Sequence, residues 1–268
     1  MSYSMSRGNI DGLSRVLRRS LMGVVMLAAP VSLNLGPETA WAVSKETSAE
    51  KAEHLRQQAN PNLFNAWSFD KDQVGEVPKG FAVQTVGAQS GGTWKIETQA
   101  NAPSLPNVLG GASTCATCVE LLIAQGLQYE YPDLTVRIRE GSGSSQGRMG
   151  VVFSMRDHKN FYATVVDLTS KTLEVIRVVD GKEAVLGQAP IKKKPVDWHT
   201  LRVQRNTIIS KDFIETFFDG QLTLSVEDQT LGVGQVGLLV RGETSVQFDN
   251  FNAAPLYSHR PVSPPAAY

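Results

Sequence analysis

Residues 199–205 read His199-Thr200-Leu201-Arg202-Val203-Gln204-Arg205, and after Asp219-Gly220 the chain continues Gln221-Leu222-Thr223-Leu224-Ser225-Val226-Glu227. Both runs alternate apolar and polar residues. That is the period of a strand with one face on a core, whereas a helix would repeat its apolar positions every three or four residues. Asp-Gly between β-rich runs predicts a hairpin turn whose glycine takes a positive φ. Leu134–Arg139 alternates in the same way and sets Arg137 and Arg139 on its outward face. Largely apolar runs at Met149–Met155, Phe161–Val166, Leu173–Val179 and Val236–Val240 read as strands packed on both faces. Turn signals at Gly141-Ser142-Gly143, Asp180-Gly181 and Gly232-Val233-Gly234 separate them. A helix competes only at Val119–Gln125, and weakly. Ten or more short antiparallel strands in roughly 200 residues predict an all-β fold, an antiparallel two-sheet jelly-roll sandwich. No internal repeat points to a propeller.

The 268 residues carry 26 Lys and Arg against 26 Asp and Glu, so the formal charge is zero. That leaves no basic footprint for nucleic acid or anionic lipid. Two cysteines are too few for a disulfide framework, and a chain of this length buries its own core. The balance is uneven along the chain. Residues 1–42 hold Arg7, Arg15, Arg18 and Arg19 against Asp11 and Glu38, then an apolar stretch from Leu21 to Leu35 and Ala40-Trp41-Ala42. This is the layout of a secretory signal peptide, and Arg18-Arg19 suits the twin-arginine type. The apolar stretch, broken by Pro30, Ser32 and Asn34, is too short to span a bilayer. Removing residues 1–42 leaves 22 basic and 24 acidic residues, a net charge of −2. The expectation is a periplasmic or secreted protein with no membrane span after cleavage. Residues 43–62 read as a polar tether or short helix, 63–257 as the sandwich, and 258–268, with Pro261, Pro264 and Pro265, as a loose tail.

An ordered series of short motifs runs through the sandwich. It comprises Gly92-Thr93-Trp94-Lys95-Ile96, Asn107-Val108-Leu109, Tyr131 to Arg137, Gly150-Val151-Val152-Phe153, Asn160-Phe161-Tyr162, Trp198 to Val203, Phe218-Asp219-Gly220, Gly237-Leu238 and Phe248-Asp249-Asn250-Phe251. The series resembles the concanavalin A-like, laminarinase-type jelly-roll domain, in particular its 3-keto-disaccharide hydrolase branch, over about residues 63–257. Each motif also has an architectural reading. Leu201 and Val203 face inward after Trp198, Phe248 and Phe251 fill the core, Asp249 and Asn250 satisfy backbone at the closing strand, and Gly237 permits close packing.

Sugar sites pair an aromatic face with planar polar groups that bond neighbouring hydroxyls. Arg156, Asp157, Asn160 and Tyr162 supply these types in one segment, and Arg137 with Arg139 would extend the surface; the competing reading is a solvated hairpin. Glycoside hydrolysis usually needs two carboxylates flanking one bond. The Glu-x-Asp-x-x-Glu strand motif of laminarinases is absent, and Glu227-Asp228 would point opposite ways. What the resemblance implies instead is elimination from a keto sugar by a base and an electrophile. Asp157, Asp167, Glu174, His158 and His199 are the candidate bases, with His199 the more ordinary strand-edge residue.

Cys115-Ala116-Thr117-Cys118 lacks the following His of a haem attachment site, because position 119 is Val, and two thiols do not make a zinc site. A local disulfide is the expectation. No metal ligands and no cofactor are assigned; calcium, which jelly-roll rims often hold, is the one ion left open. Two functions stand: an exported carbohydrate-binding or surface-interaction module, or a hydrolase or lyase acting on 3-keto-disaccharides. A protein partner bound through one sheet is the third reading.

Overall fold

The computed structural model describes residues 60–87, 92–141 and 148–256. A 3₁₀ turn, Pro61–Leu63, precedes fifteen strands. They are β1 Asn65–Trp67, β2 Phe81–Val86, β3 Gly92–Thr98, β4 Asn107–Ser113, β5 Val119–Ala124, β6 Pro132–Glu140, β7 Arg148–Asp157, β8 Asn160–Asp167, β9 Thr172–Val179, β10 Lys182–Pro190, β11 His199–Ile208, β12 Lys211–Phe218, β13 Gln221–Glu227, β14 Gln235–Arg241 and β15 Thr244–Pro255. The first sheet runs β13-β12-β11-β6-β15-β4-β3, with β1 also on β15; the second runs β10-β9-β8-β7-β14-β5-β2. Neighbours within both are antiparallel. Val119–Gln125, the one place where a helix competed, holds strand β5, Val119–Ala124, with every strand residue buried and Gln125 exposed in the turn after it. The expected signal segment, most of the tether and the tail lie outside the described residues.

Local rules account for the elements. The turns Asp180-Gly181 and Asp219-Gly220 have both residues at positive φ, from 49° to 81°, as two-residue hairpins require. Gly237, in the middle of β14, is needed for close approach. A Cβ there would lie 2.2 Å from the Leu122 carbonyl oxygen of the next strand. Phe248 and Phe251 are three residues apart, so a regular strand would turn them to opposite faces. A bulge between Asp249 and Asn252, with Asn250 at φ 47°, resets the alternation, and both rings enter the core. Trp67 stacks on Phe251 at 5.1 Å and Trp94 lies 5.7 Å from Phe248, giving the aromatic centre of that core. His199 and Asp219 tie the start of β11 to the β12–β13 turn. Asp219 accepts the Thr200 N–H at 2.9 Å and holds His199 Nδ1 at 2.8 Å, while the imidazole stacks on Phe218. The expected bridge forms between Cys115 and Cys118, in the loop before β5.

Candidate functional site

The two sheets present opposite chemistry outward. The second sheet is apolar on both sides through its middle: Leu122, Val151, Phe153 and Leu238 face the main core, and Leu121, Val152, Phe161 and Leu239 form a separate apolar cluster on the far face, with the ion pairs Arg148–Glu174 and Arg241–Glu183 toward one end. Outward positions on three central strands of the first sheet are polar. On β6 these are Asp133, Thr135, Arg137 and Arg139; on β11 Thr200, Arg202, Gln204 and Asn206; on β15 Gln247, Asp249 and Asn252. The register sets Phe217, Arg202, Thr135 and Asn252 side by side in one row across four strands, and Glu215, Gln204 and Asp133 in the next.

Arg202 donates two hydrogen bonds to Asp133, from Nε at 2.9 Å and Nη2 at 2.6 Å, and Gln204 donates a third at 3.0 Å. The carboxylate holds the guanidinium charged and pushes its pKa up, chiefly through these bonds. The same guanidinium lies 5.7 Å over the Phe217 ring. Beyond Phe217, in register on β13, is Leu222, 55% exposed. The Arg202 side chain keeps 44% of its surface open, so its remaining donors reach solvent. A planar donor fork, a carboxylate, an amide and an apolar patch therefore share one open face, the set that reads the vicinal hydroxyls and C–H face of a sugar ring.

The other half of this face is closed by residues 99–106. Ser104 N–H donates to Asp249 at 2.7 Å, Ser104 Oγ bonds Asp70, and Trp198 Nε1 donates to the Asn101 carbonyl at 2.8 Å. Beneath them Arg137 donates to Thr200 Oγ1 and the Trp198 carbonyl, each at 3.1 Å, and Arg139 lies 4.8 Å over the Trp198 ring while bonding Gln247. Burial pushes the Asp249 pKa up to about 6, against the hydrogen bonds from Ser104 and Asn250 and with the Asp70 carboxylate adding repulsion.

The residues expected to bind ligand do not converge. Arg137 lies on the outward face of the first sheet. Arg156, Asp157 and Asn160 are at the β7–β8 hairpin of the second sheet, where Asp157 accepts the Lys159 N–H at 2.7 Å and Asn160 Nδ2 at 3.0 Å, and Asn160 Oδ1 accepts Asp180 N–H. The Lys159 amide is the main reason the exposed Asp157 carboxyl titrates below its ordinary value. Tyr162 points the other way from what stacking on a ligand needs. It is fully buried, 5.5 Å from Phe153, with its hydroxyl bonded to Asp228 and to the Leu231 N–H at 3.0 Å. Strand parity explains the correction: Phe161 and Ala163 take the outward positions of β8, which leaves position 162 inside.

The candidate bases are scattered too. Asp157 sits at one end of the sandwich; Asp167 is at the opposite end and accepts the Thr169 and Ser170 amides; Glu174 pairs with Arg148 at 3.4 Å. Asp167 lines a pocket of about 660 Å³ with Arg148, Ser170, Arg241 and the disulfide loop. His199 borders a smaller one of about 410 Å³ with Arg139 and Lys193. His158 is exposed at the hairpin tip. Among the described residues no group of three His, Cys, Asp or Glu side chains is placed to hold a metal, and no helix is long and apolar enough to cross a membrane. Sequence reasoning missed Asp133, Arg202, Gln204 and Phe217. Alternation gave the outward positions of β11, but the pairing of Arg202 with Asp133 spans 69 residues and needs the register.

No protein-family model matches the chain, and no curated protein does. Solved structures do. The carbohydrate binding module CBM66 from Bacillus subtilis is 18% identical with a TM-score of 0.51, covering 65% of this chain and 95% of that one. The cellulose induced protein Cip1 is 15% identical at TM-score 0.52, over 72% and 97% of the two chains. The Emp47p carbohydrate recognition domain is 10% identical at TM-score 0.50, over 74% and 99%. At such identities the likeness is one of fold: a lectin-like, concanavalin A-like jelly roll.

Proposed function

We propose that this protein is an exported carbohydrate-binding module that takes a neutral glycan on the open half of its first sheet. The observation that carries the reading is the Asp133–Arg202–Gln204 cluster against Phe217 and Leu222. It offers fixed donors and acceptors next to an apolar patch, without an excess of either charge. Carbohydrate binding in the names of two similar folds supports the class of ligand. The near-neutral mature composition supports an uncharged sugar over a polyanion. Export follows from the reading of residues 1–42, and a periplasmic or secreted location with it.

Titration of the full chain with neutral oligosaccharides by calorimetry or on a glycan array tests this. Saturable binding weakened in Arg202→Ala and Phe217→Ala, and unchanged in Asp157→Ala, supports the reading. A blank array refutes it and turns attention to a protein partner. The hydrolase or lyase reading is separated by incubation with a 3-keto-glucoside: turnover abolished by Asp157→Ala, Asp167→Ala or Glu174→Ala would make the chain an enzyme.

A further inference from the structure

Strand β12 carries a second ring on the face that holds the Asp133–Arg202–Gln204 cluster. Asp212, Ile214, Thr216 and Phe218 are buried on its inner side, so Phe213, Glu215 and Phe217 alternate along its outer side, each half-buried. The register gives each an outward neighbour on β11: Asn206 beside Phe213, Gln204 beside Glu215 and Arg202 beside Phe217. Phe213 belongs to neither apolar cluster, and among the described residues no other ring and no guanidinium stacks on it, whereas Phe217 has Arg202 over it. Between the two rings Glu215 accepts a hydrogen bond from Asn206 Nδ2 at 3.0 Å and keeps acceptor capacity for further donors. Arg202 and Lys211 are paired with Asp133 and Glu227, at 2.6 and 2.9 Å, while Glu215 has no cation partner among the described residues.

On the reading of the first sheet as the glycan face, we propose that its ligand is a linear, neutral oligosaccharide of at least three sugar units lying along β12. One unit sits on Phe217 and another on Phe213, with the hydroxyls between them on Gln204, Glu215 and Asn206. Length follows from the spacing of the rings. Phe213 and Phe217 are four residues apart on one strand, which is about 13 Å along it. Linked pyranoses advance by little more than one ring width per unit. A sugar seated on Phe217 and its immediate neighbour therefore stop short of Phe213, and a third unit is the first to reach it. Direction follows from the strands: both rings and the carboxylate between them stand on β12, and the polar groups of β11 run beside them. The alternation of apolar ring and polar group suits a pyranose chain, whose C–H faces and hydroxyl edges are separate surfaces. Charge follows from Glu215. A carboxylate without a cation beside it repels acidic sugars, yet it accepts hydrogen bonds from neutral hydroxyls.

Calorimetry of the full chain with cello-, laminari- and manno-oligosaccharides of one to six units tests the proposal. In the series that binds, the dissociation constant should fall about tenfold from the disaccharide to the trisaccharide, the worth of one stacking contact. Phe213→Ala should remove that step and leave the disaccharide affinity as it was, which also shows that the variant is folded. Phe217→Ala should weaken every length. Equal affinity for the disaccharide and longer chains, a step retained in Phe213→Ala, or a Phe213→Ala loss that is the same at every length would each overturn the proposal while the glycan reading of the face stands. Failure of every length to bind overturns both. Oligomers of polygalacturonate that bind as tightly as the neutral series would refute the neutral ligand.

Discussion

Asp249→Asn should make the protein more stable at neutral pH, and the gain should vanish in acid. The Asp249 carboxyl is fully buried and its pKa is raised to about 6. Its unfolded value is near 3.9. Between those two values the folded chain binds the proton more tightly than the unfolded one, so stability from this group is whole below about pH 4 and is lost as pH rises through 6. A displacement of roughly 2 units corresponds to about 3 kcal/mol. Asparagine imitates the neutral carboxyl and keeps an oxygen to accept the Ser104 or Asn250 amide; the acceptor it loses costs about 1 kcal/mol at every pH. The difference in unfolding free energy, variant minus parent, should therefore rise by up to about 3 kcal/mol between pH 4 and pH 8. In melting temperature that is about 6–12 °C for a domain of this size. Urea unfolding of both proteins at half-unit pH steps measures it. A difference that stays flat, or that falls with pH, would show that Asp249 is ionised without cost beside Arg137, and the reasoning would fail.

Arg202→Ala should weaken glycan binding about 10- to 100-fold, the loss of charge-assisted hydrogen bonds worth 1.5–3 kcal/mol; calorimetry reads it. Phe217→Ala should cost up to about tenfold through lost stacking. Tyr162→Phe should leave glycan affinity unchanged and lower stability by about 1–3 kcal/mol, since the Leu231 amide and Asp228 lose their buried partner. Gly237→Ala should destabilise by about 3 kcal/mol or more, because the added methyl meets the Leu122 carbonyl; failure to fold would agree, and a normal melting curve would not. Reducing Cys115–Cys118 should cost about 2 kcal/mol or less, since so short a loop gains little from closure. It should also release two thiols in a colorimetric titration.

The fold was legible where polarity alternates and where turn chemistry is specific. His199–Arg205 and Leu134–Arg139 each announced an inward and an outward side, and the two Asp-Gly turns fixed where strands reverse. Even the doubly buried strands could be read from largely apolar runs such as Met149–Met155 and Phe161–Val166. Those same runs hide the parity of the chain. With Phe161 on one face, Tyr162 on the other and both apolar, nothing in the local pattern says which ring meets the core, so a core tyrosine looked like a platform for sugar. The bulges at Ser154 and Asn250 shift parity again, and both depend on pairing with distant strands.

The site was harder because it is made by register. Arg137 and Arg139 share a strand and a face, yet residues 99–106 close over one side of that sheet and leave Arg202, one strand away, with open donors. Sequence separates Asp133, Arg202 and Phe217 widely; antiparallel pairing of β6 with β11 and of β11 with β12 brings them into contact. The middle of the second sheet's outward face, Leu121, Val152, Ala163 and Leu239, offers a sugar's hydroxyls no donors or acceptors, and the polar groups of that face, Arg148, Asp167, Glu174 and Arg241, lie toward one end. A polar ligand moved onto that apolar centre would lose its hydration without replacement, so the proposed glycan reading rests on the polar row of the first sheet.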